Sequence, residues 1–131
     1  AGNIVLDLGE DQFTRGRAHP MIDPQTRTEF FESHITGSTA LVLVDVVLGF
    51  GSHADPAGAL AQSVQKARAK LTKDGKGLIV LGSITGTDQD PQDLKKSTAT
   101  LKDAGVIVMP SNAQAVRLAG QFMQVFNKGA K

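Results

Sequence analysis

Two histidines in glycine-rich surroundings are the residues of this chain best suited to moving a proton near neutral pH or donating a hydrogen bond to an anion. They are His53 in Gly49-Phe50-Gly51-Ser52-His53-Ala54-Asp55 and His19 in Gly16-Arg17-Ala18-His19-Pro20. A solvated loop histidine accounts for His53 equally well. Arg15 and Arg17 stand just before His19, where guanidinium groups can grip an oxyanion through two parallel hydrogen bonds. His34 falls inside a helical stretch and reads as structural. Asp45 interrupts an otherwise apolar run, and a carboxylate there needs a partner, either at the end of its strand or across an interface. No histidine stands at metal-ligand spacing from carboxylates, so no metal site is expected, and no serine occupies a nucleophile elbow. Gly49-x-Gly51 lacks the third glycine of a dinucleotide fingerprint, and no Gly-Lys-Ser/Thr phosphate loop exists.

The elements that must position these groups follow from periodicity. Thr39 to Leu48 is nearly continuous in β-branched and aliphatic residues, as in a parallel strand covered on both faces. Gly77 to Ile84 and Val106 to Met109 read likewise, and Asn3 to Leu8 reads as a short first strand. An irregular, functional loop is expected over Gly9 to Ile22. Helices are expected over Pro24 to Ile35, over Pro56 to Leu71 with Leu60, Val64, Ala67 and Leu71 on one stripe, over Pro91 to Ala104, and over Ala113 to Phe126. Strands alternating with helices at this spacing are stacked βαβ units around a parallel sheet.

Asp23-Pro24, Asp55-Pro56 and Asp90-Pro91 each stand where a helix should begin. Asp accepts hydrogen bonds from the free amides of the first turn, and Pro there loses none. Ser111-Asn112-Ala113-Gln114 supplies a capping box for the fourth helix. In a parallel sheet all four helix starts lie at the carboxyl edge, where ligands of such sheets bind. Gly49, Gly51 and Ser52, then Thr85, Gly86 and Thr87, then Ser111 and Asn112 are therefore the expected ligand-binding groups, with Arg15 and Arg17 as charge partners. The unpaired amides of helix starts favour phosphate or carboxylate. Each loop taken alone is better explained by structure than by binding, and it is their convergence that shifts the balance toward binding.

At 131 residues, 40% hydrophobic and 21% charged, the chain fits one globular domain. A formal net charge of +1, with basic residues scattered among acidic ones, argues against nucleic acid. The longest apolar runs are far too short to cross a bilayer. The absence of cysteine excludes disulfides and thiolate sites and fits the cytoplasm. Ala1 opens no signal-peptide pattern, so a processed product or a piece of a longer polypeptide is expected.

Thr39-Ala40-Leu41-Val42-Leu43-Val44 with Gly49-Phe50-Gly51, Leu94 to Ala104, Gly105-Val106-Ile107-Val108 and Ser111-Asn112 resemble the carboxyl-terminal ligase domain of succinyl-CoA synthetase alpha subunits, over most of the chain. More closely, Asp7-Leu8-Gly9-Glu10-Asp11, Gly16 to Pro24, Gly49 to Pro56 and Asp88-Gln89-Asp90-Pro91-Gln92 resemble the FdrA family of acyl-CoA synthetase-like proteins. The resemblance implies a flavodoxin-like three-layer α/β/α sandwich across residues 1–131, forming part of a larger protein. It implies acyl-CoA or acyl-phosphate chemistry, or carbamoyl transfer in oxamate and allantoin breakdown. Coenzyme A would then come through a partner domain. Those synthetases phosphorylate a histidine in the loop after the penultimate strand, whereas Ser83 to Asp90 contains none, and the supporting glutamate is replaced by Val46-Val47-Leu48-Gly49. The match begins one βα unit late, with the absent strand belonging between Asn3 to Leu8 and Thr39 to Leu48. A second chain or an amino-terminal segment is therefore expected to complete the sheet, unless the sheet is rearranged.

Two functions follow. One is an enzyme domain of ligase or transferase type, with His53 and His19 as acid, base or anion donor. The other is a noncatalytic subunit supporting a partner that carries the reactive groups.

Overall fold

Three extended segments, each apolar on both faces, form the centre of the computed structural model, which describes residues 2–129. They are β1 (Leu41–Val47), β2 (Ile79–Thr85) and β3 (Ile107–Met109). Both ladders are parallel and the order is β1-β2-β3, with Leu41 opposite Ile79 and Leu81 opposite Ile107. The helices are α1 (Asp11–Thr14), α2 (Gln25–His34), α3 (Pro56–Thr72), α4 (Leu94–Asp103) and α5 (Asn112–Gly129). The chain is thus a small α/β domain of the flavodoxin-like kind, with a parallel sheet between helical layers.

Alternation along the strands assigns the layers. Val42, Val44, Val46 and Leu48 of the β1 segment, Leu78, Val80 and Ile84 around β2, and Val106 and Val108 pack into one cluster with Phe31 of α2, Leu60, Val64, Ala67 and Leu71 of α3, and Leu101 of α4. Leu60, Val64, Val80 and Leu101 are wholly buried, each stabilising the fold by about 2 kcal/mol relative to exposure. The opposite face presents Leu81 and Ser83 to α5, whose Ala115 and Ala119 are buried against the sheet. One helix cannot cover three strands. Leu43 and Ile107 on that face remain 37% and 41% exposed.

The strand expected over residues 3–8 does not form: this stretch is irregular, with Ile4, Val5 and Leu6 exposed. Its local pattern suits a strand, but a strand exists only by pairing, and no neighbour among the described residues pairs with it. Among the described residues the sheet consequently has three strands. Ile79 N–H donates to Ala40 O (3.1 Å) and Leu48 N–H to Thr85 O (2.8 Å), so the even-numbered residues of β1 pair with β2. By the alternation of a parallel ladder, the backbone groups of Leu41, Leu43, Asp45 and Val47 face the free edge.

A second correction concerns α4. Asp90-Pro91 does not open it: the helix begins at Leu94, and Asp93 is its cap, accepting from Lys96 N–H at 3.0 Å. Asp93 adopts φ 57°, a left-handed conformation that Asp tolerates and that turns the chain sharply into the helix. Asp90 is used one turn earlier, accepting from Thr87 N–H at 2.6 Å and Thr87 Oγ1 at 3.2 Å. Asp23-Pro24 is displaced by one residue: α2 begins at Gln25 with Pro24 at the cap position, while Asp55-Pro56 and Ser111 act where expected. Asp55 accepts from Gly58 N–H (2.8 Å) with Pro56 as the first helical residue. Asp23 accepts from Gln25 N–H (2.9 Å), and Ser111 Oγ from Gln114 N–H (3.3 Å).

Candidate functional site

Parallel strands deliver the segments after β1, β2 and β3 to one end of the sheet, and side chains tie them together there. The principal link is Gln92, in the turn before α4. Its Nε2 donates to Gly49 O (2.9 Å), Ser52 Oγ (3.0 Å) and His53 O (3.2 Å), while its Oε1 accepts from Gly49 N–H (3.1 Å). Gly49 and Gly51 have φ of 148° and 83°, conformations that side-chain-bearing residues rarely adopt, so the turn needs both glycines. Between them Phe50 is 87% exposed.

The loop carrying His19 joins the same cluster, because His53 N–H donates to Met21 O at 2.7 Å. Both candidate histidines are oriented alike. Asp55 N–H donates to His53 Nδ1 (3.0 Å) and Met21 N–H to His19 Nδ1 (3.2 Å). A neutral imidazole that accepts at Nδ1 carries its proton on Nε2, so each ring turns a donor edge away from its own backbone. The His19 ring packs over Gly9.

Asp45 has the partners its sequence position demanded. Its carboxylate accepts from Ser83 Oγ (2.5 Å) on the neighbouring strand and from Asn112 Nδ2 (3.0 and 2.8 Å) at the start of α5. Ser83 is buried, whereas Asp45 is exposed. This places Asn112 in contact with the end of β1. Ser111 acts as a helix cap, Thr87 is bound within its own turn to Asp90, Thr85 ends β2, and Gly86 lies against the Leu48 side chain.

The expected guanidinium clamp is not assembled. Arg17 forms an ion pair with Glu29 of α2 at 2.6 Å, and Gln25 Nε2 also donates to Glu29. The hydrogen bond from Arg17 holds the Glu29 carboxyl below its ordinary pKa, and the same bond raises the pKa of Arg17. Arg15 is exposed and pairs with no acid among the described residues. His34 stacks on Phe30 with centroids 4.3 Å apart, in the structural role expected.

Two residues near the site escaped sequence reasoning. Gln92 was hidden inside the helix expected from Pro91. Arg27 of α2 directs its guanidinium at backbone carbonyls of Pro56 (3.2 Å) and Asp45 (3.5 Å), and burial lowers its pKa. Its spacing of four from the buried Phe31 was the available signal. A depression of about 440 Å³ lies on α4, lined by Asp88, Leu94, Lys95, Thr98, Ala99 and Lys102, and contains none of the expected binding residues. Among the described residues no acid or histidine cluster could hold a metal, and no helix is long and apolar enough to cross a membrane.

Comparison with known proteins adds two findings. The CoA-ligase family model matches residues 1–122. The uncharacterized protein YahF of Escherichia coli (strain K12) is 40% identical over 122 residues, which cover 92% of this chain and 24% of YahF.

Proposed function

Because the chain belongs to the CoA-ligase family, we propose that it is an acyl-CoA synthetase-like domain of FdrA type whose carboxyl edge binds a small acyl, carbamoyl or phosphate anion. The observation that carries this reading is the joining of three loops: Gln92 ties the segment after β2 to residues 49–53, and His53 ties these to Met21. His19 and His53 would serve as donors or proton carriers through Nε2, and the Asn112 amide lies at the same edge, held by Asp45. Donors fixed before the ligand arrives need no reorganisation when negative charge develops. Coenzyme A belongs, on this reading, to a partner domain, and the compartment is the cytoplasm. The test is thermal unfolding with inorganic phosphate, carbamoyl phosphate, oxamate and coenzyme A added separately. At about 100 times its dissociation constant a true ligand adds roughly 2.7 kcal/mol. His53→Ala and His19→Ala should each weaken that ligand by about tenfold, the value of one lost hydrogen bond to a charged group. No stabilisation by any of the four would overturn the anion-binding reading.

The second reading, a noncatalytic module completed by another segment, is favoured by β1. Its sequence is that of a central strand, yet one edge is unpaired and Leu43 is 37% exposed, without the lysine or proline that usually guards an edge. A second chain or an amino-terminal segment would supply the missing strand and cover Ile4, Val5 and Leu6.

A further inference from the structure

The Gln92 carboxamide meets a mixed set of partners that no other neutral side chain of its length satisfies. Gly49 offers it both an N–H and a C=O, at 3.1 and 2.9 Å, so the amide stands in for the peptide group of a neighbouring strand just beyond the point where β1 pairing ends. The same Nε2 reaches Ser52 Oγ and His53 O. The contacts fix which way the amide faces, since a flipped group would set oxygen against the Gly49 and His53 carbonyls and nitrogen against the Gly49 N–H. Gln92 is itself held: Ser97 Oγ donates to its carbonyl at 3.1 Å, and Ser97 is buried in the first turn of α4. The turn it holds has two glycines at positive φ and, among the described residues, is closed on itself only by Ser52, whose Oγ (2.8 Å) and N–H (3.3 Å) donate to Gly49 O.

We propose that Gln92 is the positioning residue of the carboxyl edge: it sets the orientation of Ser52 and His53 from the opposite loop, so that the segments after β1 and β2 move as one unit. Its functional meaning rests on the anion-binding reading, but its test requires no ligand, so either can fail alone. Gln92→Ala removes all four contacts. Gln92→Glu keeps the stem and the acceptor for Gly49 N–H while turning the donations to the Gly49 and His53 carbonyls into repulsions between oxygens. Both variants are followed by residue-resolved amide hydrogen exchange and by the NMR chemical shifts of the His53 ring at fixed pH, with the core variant Leu101→Ala as a control for lost global stability.

The expected result is about tenfold faster exchange at Gly49 and Ser52 than at amides within α4 and α5, the factor that the loss of one or two net hydrogen bonds carries. The His53 ring resonances should shift in both Gln92 variants, because the loop that carries the ring is released, and stay in place in Leu101→Ala. Exchange that rises evenly across the molecule, or His53 ring resonances unchanged in both variants, would overturn the proposal. So would failure of both Gln92 variants to fold, which would make Gln92 a folding determinant instead.

Discussion

The two ends of the sheet solve the same problem with different chemistry. At the amino end, Arg68 of α3 gathers the carbonyls of Leu78 (3.2 Å), Ala104 (3.2 Å) and Gly105 (2.7 Å). At the carboxyl end, Gln92 gathers Gly49, Ser52 and His53. A cation suits the first place because every partner is an acceptor and two of them close α4, whose terminus is negative. A neutral amide suits the second, where a donor and several acceptors must be met together. The amino end is filled to the point that Arg68 Nε is buried without a partner. The carboxyl end leaves the His19 ring and the Phe50 ring exposed. Stability is concentrated at one end and available chemistry at the other.

The contrast can be broken most forcefully at Gly105. Its φ of 80° and the Arg68 guanidinium packed against it leave no room for a side chain. Gly105→Ala should cost about 3 kcal/mol in urea unfolding, combining backbone strain with displacement of a half-buried guanidinium from its three carbonyls. A near-neutral result would mean that the amino end is as yielding as the other. Asp55→Ala should cost about 1 kcal/mol, the usual value of a helix cap, because it frees Gly58 N–H at the start of α3. A loss matching that of Gly105→Ala would erase the asymmetry. The smallest effect belongs to the exposed pair of Arg17 and Glu29. The Glu29 pKa is depressed in the folded chain, chiefly by the hydrogen bond from Arg17, so its contribution is present above the unfolded carboxylate pKa. That contribution fades as pH falls through the folded value. Glu29→Gln should therefore lower the urea midpoint slightly at neutral pH and leave it unchanged in acid; equal losses at both would assign the effect to packing.

What the sequence made legible were elements whose cause is local. β1, β2 and β3 follow from runs of β-branched residues, and α3 from the stripe of Leu60, Val64, Ala67 and Leu71, all buried as that spacing requires. Asp55-Pro56 opened a helix because cap and proline act within one turn. The failures are cases where something distant or competing decided. Residues 3–8 carry a strand's pattern, but only a neighbour could make them one. Asp90 was drawn into a turn with Thr87, leaving Asp93 three residues on to start α4. Arg17 found Glu29 on another element, which no local spacing foretold. The carboxyl edge was legible as a place, through chain order alone. Its wiring through Gln92 was not, because a link spanning more than forty residues leaves no local trace.

The parallel ladders also constrain how the chain can come together in time. Neither β1 with β2 nor β2 with β3 is joined by a turn, so no hairpin is available as a nucleus. Each ladder must wait until the chain between its strands has looped back, an entropic toll that local contacts cannot offset by themselves. The intervening helix shortens that search by folding its length into a rod with one sticky side. The apolar stripe of α3 is therefore a matchmaker for strands as well as a layer of the finished core.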